Sequence, residues 1–252
     1  KGQKTEYATV YRVIDICNEI LSWILMVILV CLFCYGTYGI GDSYVLEQDA
    51  MPQHYEVYRP TEEDSLSFEE LQAKNSDVCG WITIYGTHVD YPVVQSEDNS
   101  TYLMRNPRGE YSLSGSIFMD YMNQKDFSDF NTIIYGHNMK NGTMFADLNK
   151  YKDKKFYESH KEVQFDTLTE EGTYKVVYAF VTEVNKKDSF KYYEKINWNS
   201  KDEFNEYVSN LEQRKMYDTG EKIKKKDKLL TLSTCEKASD NSRMVVVCKK
   251  KQ

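Results

Sequence analysis

The run Leu229-Leu230-Thr231-Leu232-Ser233-Thr234-Cys235 has the make-up of a buried strand and ends on a thiol. A nucleophile at a strand end projects from a rigid element into the cleft formed by neighbouring loops. Only the thiolate attacks efficiently, so such a cysteine needs a base or a cation close by. The chain has four histidines, His54, His88, His137 and His160. His137 follows the strand-like Thr132-Ile133-Ile134-Tyr135 through Gly136, so it too leaves a strand end. Arg243 opens the apolar run Met244-Val245-Val246-Val247. If Cys235 and Arg243 lie on adjacent antiparallel strands, a folded-back loop brings the guanidinium beside the sulfur. A thiol with an imidazole and a guanidinium close by could be held as the thiolate and act as a nucleophile.

Each of these residues also has an ordinary reading. Free cysteine packs as a small hydrophobe, and Cys79 and Cys248 are taken as core residues on that ground. Of the six cysteines, Cys17, Cys31 and Cys34 lie in or beside an apolar segment, which leaves an odd number elsewhere and a poor disulfide framework. A Cys79–Cys248 bridge stays open, because spacing alone cannot license one. Outside the apolar segment, which holds Cys31 and Cys34, there is no CxxC pair, and no Cys/His cluster has zinc spacing, so neither a metal site nor another cofactor is expected. His88, in a turn before a strand, is a second base candidate. His160 falls in a charged stretch and reads as a surface residue. Asp90 and Glu236 are acids able to polarise a neighbour, or plain surface charges.

The elements that must position the trio are mostly strands. Twenty-one Tyr and eleven Phe favour a β-rich domain. Strand patterns fall at residues 81–84, 89–94, 115–119, 131–135, 162–166, 173–184, 228–233 and 243–248. Short strands separated by Gly, Asn and Asp predict a mainly β (α+β) barrel or sandwich rather than a wound parallel sheet. A helix is predicted to start at Ser67, a short one at residues 144–148, and a longer one from about Ser200 to Lys215. In the longer one Ser200 caps, and Phe204, Tyr207, Val208 and Leu211 form one stripe for packing on the sheet. The net charge of −7 argues against a nucleic-acid partner. The basic stretch Lys222–Lys228 is the local exception and reads as a solvated loop or strand entry.

From Ile20 to Gly41 there is no charged residue, and the run is long enough to cross a hydrocarbon core of about 30 Å as a helix. Lys1, Lys4 and Arg12 precede it and Asp42, Glu47 and Asp49 follow, which predicts a cytoplasmic amino terminus and an outward-facing remainder. A cleaved signal peptide is the competing reading. Against it, the apolar run exceeds an ordinary h-region and no A-x-A site closes it. The expected organisation is a cytoplasmic segment at 1–19, a single-pass membrane anchor at 20–41, an extracellular stalk at 42–64 and a catalytic domain at 65–252.

The motif Thr231–Cys235 with Arg243 after it, together with Tyr135-Gly136-His137-Asn138, resembles the sortases of Gram-positive bacteria. Asp90-Tyr91-Pro92-Val93-Val94-Gln95, followed by Asp98-Asn99 and Tyr102-Leu103, is similar to a further sortase segment. The continuation of the His137 motif into Asn141-Gly142-Thr143-Met144-Phe145, and the long helix ahead of the cysteine strand, look most like class B. The resemblance implies an eight-stranded β-barrel with added helices. It implies catalytic roles for Cys235, His137 and Arg243, and a substrate groove at Asn99, Leu103, Ser233, Thr234 and Glu236. It also implies a cysteine transpeptidase that cleaves an LPxTG- or NPxTN-like sorting signal after Thr. The partners would be a surface protein carrying that signal and an amine of a peptidoglycan precursor or a pilin. Two rival functions remain: a hydrolytic cysteine peptidase that uses the same residues, and a non-enzymatic surface protein whose barrel holds peptides and whose Cys235 is inert.

Overall fold

The structure, a computed structural model, describes residues 2–59, 66–184, 189–235 and 241–251. The chain divides into two compact units, residues 1–45 and 46–252. In the first, helix α1 (Gly2–Asp49) begins, and its apolar side chains from Val10 onward are exposed. It is long and apolar enough to cross a membrane.

The second unit is built on eight strands: β1 (Val78–Thr83), β2 (Asp90–Val94), β3 (Ile117–Met119), β4 (Asn131–Tyr135), β5 (Glu162–Thr167), β6 (Thr173–Glu183), β7 (Leu229–Cys235) and β8 (Ser242–Lys250). They close into a barrel in the order β1-β2-β3-β4-β7-β8-β6-β5, with β5 pairing back onto β1. Two pairs are parallel, β2 with β3 and β4 with β7. The expected barrel therefore holds, with each predicted strand at or near its position.

Alternation explains why β8 reads as an unbroken apolar run. Met244, Val246 and Cys248 belong to the barrel core, whereas Val245 and Val247 join a second cluster outside it. That outer cluster includes Phe204, Tyr207 and Leu211 of helix α4 (Lys201–Arg214). A strand covered on both faces has no need of polar alternation. The helix starts at a side-chain cap: Ser200 Oγ accepts from the Glu203 N–H at 3.1 Å, and Glu203 Oε2 reaches back to accept from the Asn199 N–H, one residue before the cap, at 2.9 Å.

Several expectations change. The segment expected to be a stalk is helical through Asp49, and beyond it Ala50, Tyr55 and Tyr58 are buried in the barrel unit. Tyr91 donates its hydroxyl proton to the Ala50 carbonyl at 2.8 Å, and Arg59 pairs with Asp90 at 3.1 Å. No periodic pattern links those three buried residues, so their packing is tertiary and invisible to a local reading. Helix α2 (Leu66–Lys74) begins one residue before the expected cap at Ser67. The short helix expected at 144–148 is instead a 3-10 segment, Ala146–Lys152, entered through Met144 at φ 57. A further short helix, α3 (Lys154–Ser159), is capped by Asp153. Cys79 and Cys248 are both free and buried, not bridged. Burial pushes the Cys79 thiol up to about 12, and the Cys248 thiol rises for the same reason.

Across β6 and β8, Glu221 takes Lys175 at 2.8 Å and Lys249 at 2.7 Å. The hydrogen-bonded Lys175 ammonium, then that of Lys249, hold its carboxyl down at about 2. Because the folded value lies below the unfolded one, this contribution is complete above about pH 4.5 and fades as pH falls toward 2. Glu221→Gln is expected to lower Tm by about 2–4 °C at pH 7. In thermal unfolding scans the gap to the unmodified protein should close as the pH approaches 2.

Candidate active site

The parallel register of β4 and β7 sets Tyr135 opposite Ser233, and the ladder continues with Gly136 N–H donating to the Ser233 carbonyl at 3.2 Å. Two residues on, the chain delivers His137 from one strand and Cys235 from the other. On the far side of β7, Cys235 pairs directly with Arg243 of β8. Directly opposed Cα atoms of an antiparallel ladder stand roughly 4.5–5.5 Å apart. The cysteine strand thus runs between the histidine strand and the arginine strand, and all three candidate positions fall at one end of the barrel.

A cavity of about 260 Å³ opens there, lined by Asn99, Leu103, Phe118, Tyr135, Gly136, His137, Ser233, Thr234 and Arg243. Of the residues expected in the site, His137, Arg243, Asn99, Leu103, Ser233 and Thr234 are gathered in this wall. Cys235 is placed by its backbone at the end of β7, and Glu236 lies outside the described residues.

The wall is held by specific bonds. His137 Nε2 contacts the Leu103 carbonyl at 2.9 Å. A carbonyl can only accept, so Nε2 carries a proton and Nδ1 is the nitrogen left to exchange one. The loop bearing that carbonyl approaches closely because Gly115 sits beneath it at φ +62. A Cβ there would stand 2.7 Å from the Tyr102 and Leu103 carbonyl oxygens and 3.0 Å from the imidazole. Thr234 donates its hydroxyl to the Gly136 carbonyl at 2.8 Å, tying the cysteine strand to the turn that presents His137. Ser233 Oγ and the Tyr192 hydroxyl are 2.6 Å apart. These two hydroxyls of β7 are thus engaged inside the protein, even though both residues border the cavity. Arg243 donates to the Ser242 carbonyl at 3.1 Å.

The other candidates are placed elsewhere. His88 pairs through Nδ1 with the buried Asp147 at 3.0 Å, and Asp147 also takes Lys150 at 2.8 Å. His88 is not among the cavity-lining residues. His160 is no plain surface residue: its ring stacks on Phe156 with centroids 4.0 Å apart, and Nδ1 meets the Phe156 carbonyl at 2.9 Å. Asp90 accepts from Trp81 Nε1 and Thr83 Oγ1, both at 2.8 Å, which makes it a structural acceptor.

The model of the sortase domain matches residues 82–251 of this chain. The chain belongs to the sortase family, class B. Its similarity to sortase B of Listeria monocytogenes is 42% identity over 181 residues, 70% of this chain and 71% of that protein. Sortase B of Staphylococcus aureus is 33% identical over 204 residues, 81% of this chain and 79% of that one. The solved Staphylococcus aureus sortase B–substrate complex superposes with a TM-score of 0.67 at 33% identity, covering 74% of this chain and 85% of the other. As a class B sortase the chain is a cysteine transpeptidase built on an eight-stranded barrel.

Sequence reasoning missed three parts of this sortase's cavity region. Phe118 lines the wall from β3, Tyr192 reaches Ser233 from a 3-10 turn, and the buried Asp120 stands behind Tyr135 and Asn99. Asp120 had a faint signal: it is an acid placed directly after the apolar strand Ile117-Phe118-Met119, where a solvated charge is not needed.

Proposed function

We propose that Cys235 is the nucleophile of this sortase, His137 its acid/base and Arg243 its oxyanion partner, acting on a sorting signal of LPxTG or NPxTN type. The observation that carries this reading is the strand register: Cys235 pairs with Arg243 on one side while β4 delivers His137 on the other. In the first half-reaction the Cys235 thiol passes its proton to His137, the sulfur attacks the Thr carbonyl carbon, and the oxyanion forms against Arg243 and nearby backbone N–H groups. The C–N bond then breaks, and His137 gives its proton to the departing amine. In the second half-reaction an incoming amine loses a proton to His137 and attacks the thioester. The sulfur departs as thiolate, and a new amide is left on Thr.

The acceptor amine is assigned to a peptidoglycan precursor or a pilin, and the donor to a surface protein with a carboxy-terminal sorting signal. The substrate complex formed by the Staphylococcus aureus relative supports a bound donor substrate. The apolar α1 supports a single-pass anchor, and the basic residues before the run support a cytoplasmic amino terminus with the barrel outside.

The test uses the full chain in detergent micelles with peptides carrying LPxTG, NPxTN or SPxTG motifs, with and without glycine or diaminopimelate. Mass spectrometry is expected to show a Thr–amine product for one motif. If only the cleaved acid forms whatever amine is present, the protein acts as a hydrolytic peptidase and the transfer assignment fails. If no peptide reacts, these motifs are not its substrates.

A further inference from the structure

We propose that Asp120 is a positioning residue that sets the hydrogen-bond polarity of the cavity wall toward an extended peptide main chain. The inference rests on reading the cavity as the peptide groove. Asp120 is 1% exposed and does not line the cavity itself. Its Oδ2 accepts from Asn99 Nδ2 at 3.0 Å and from the Tyr135 hydroxyl at 2.8 Å, while Oδ1 accepts from the Met122 N–H at 2.9 Å. All three partners are donors, so both oxygens act as acceptors, as in an ionised carboxylate. Burying a carboxylate is costly even when it is well paired, and a neutral side chain would fill the same space more cheaply. What the charge provides is direction in its two cavity-lining partners.

Asn99 is held at both ends. Its Oδ1 accepts from the Tyr121 N–H at 3.0 Å and its Nδ2 donates to Asp120, so the amide cannot flip without losing both bonds. The hydrogen left over is the second one on Nδ2, which makes Asn99 a fixed donor. Tyr135 commits its proton to Asp120, which leaves its oxygen as an acceptor only. Burial, then the nearby Asp120 carboxylate, raise the Tyr135 phenol far above its ordinary range and keep that proton in place. One wall thus offers a donor and an acceptor of fixed sense. A peptide in extended form presents the complementary pair, a carbonyl and an N–H, along one edge. Asp120 accordingly acts on substrate binding through Asn99 and Tyr135.

The experiment measures KM and kcat of the full chain with whichever motif peptide it ligates, for Asp120→Asn, Asn99→Ala and the double variant. Asp120→Asn turns one of two accepting oxygens into an N–H₂ that faces at least one donor in either orientation, and is expected to raise KM roughly tenfold, the scale of a mispaired buried polar group. With kcat held within about twofold, the loss is one of binding and not of chemistry. In the Asn99→Ala background, Asp120→Asn should add little more. Independent, multiplying KM effects, or a fall in kcat with KM unchanged, would overturn the assignment. Should Asp120→Asn not fold, the same coupling is read between Asn99→Ala and Tyr135→Phe, whose described hydrogen bonds meet at Asp120. A KM effect of the double variant smaller than the product of the singles supports the proposal, and a simple product overturns it. No turnover by the unmodified protein on any peptide would instead defeat the reading of the cavity, and this inference with it.

Discussion

Alanine at Cys235 is expected to abolish peptide ligation, lowering turnover by on the order of 10⁴–10⁶-fold, the scale seen when a covalent nucleophile is removed. The thioester is the one intermediate that stores the acyl group between two amines, and no neighbouring hydroxyl can replace the sulfur. Ser233 is paired with Tyr192 and Thr234 with the Gly136 carbonyl, so both nearest hydroxyls on β7 are already committed. The substitution should leave the fold intact. Cys235 is the last residue of β7, and the pairings of Leu229 through Thr234 with β8 and of Leu229 through Ser233 with β4 do not depend on it. The check is intact-mass spectrometry during turnover. The unmodified protein should carry an acyl adduct that maps to Cys235, and the alanine variant should carry none while unfolding at an unchanged Tm. An adduct on Cys79 would contradict this, because that thiol is buried, has its pKa raised to about 12, and has no route to a peptide.

The parts of this candidate site whose placement was legible in the sequence share a physical cause. Cys235, His137 and Arg243 each sit at the end of an apolar strand, and strands announce themselves by composition over a few residues. Helix α4 was equally plain, because its cap, its first-turn acids and its stripe are all local. The pairing of the strands was not local. Nothing within β4 or β7 says that they run parallel and side by side, since the 93 residues between Tyr135 and Leu229 must first wrap around the barrel. The same limit hid Ala50, Tyr55 and Tyr58, whose burial depends on the far side of the unit, and the Tyr192–Ser233 contact across forty-one positions. His88 and His160 show the converse. Both are polar residues in polar stretches, yet one is anchored to a buried carboxylate and the other to an aromatic face. Side-chain partners of this kind are decided by topology, which resemblance to a family supplies and periodicity does not.

Arg243→Ala is expected to lower kcat by about 10²–10³-fold, the cost of removing one donor from a developing oxyanion, with KM changing much less. The reasoning starts from the register. Arg243 opposes Cys235 in an antiparallel pair, so its side chain starts from beside the Cys235 position while the strand that carries it is fixed by eight further residues of β8. A group held this way gains most when charge appears on the substrate oxygen and little when the neutral carbonyl first binds, which is the condition for raising kcat instead of lowering KM. One guanidinium N–H is given to the Ser242 carbonyl, which orients the planar fork from the strand side. Lysine keeps the charge but has neither the fork nor its fixed plane, so Arg243→Lys should recover only part of the loss. Single-turnover acylation, followed by the release of the first amine, separates the two cases. If Arg243 stabilises the oxyanion, both variants slow adduct formation on Cys235 without weakening peptide binding. If it merely anchors the peptide, saturating peptide restores the unmodified rate, and the guanidinium has to be reassigned to binding.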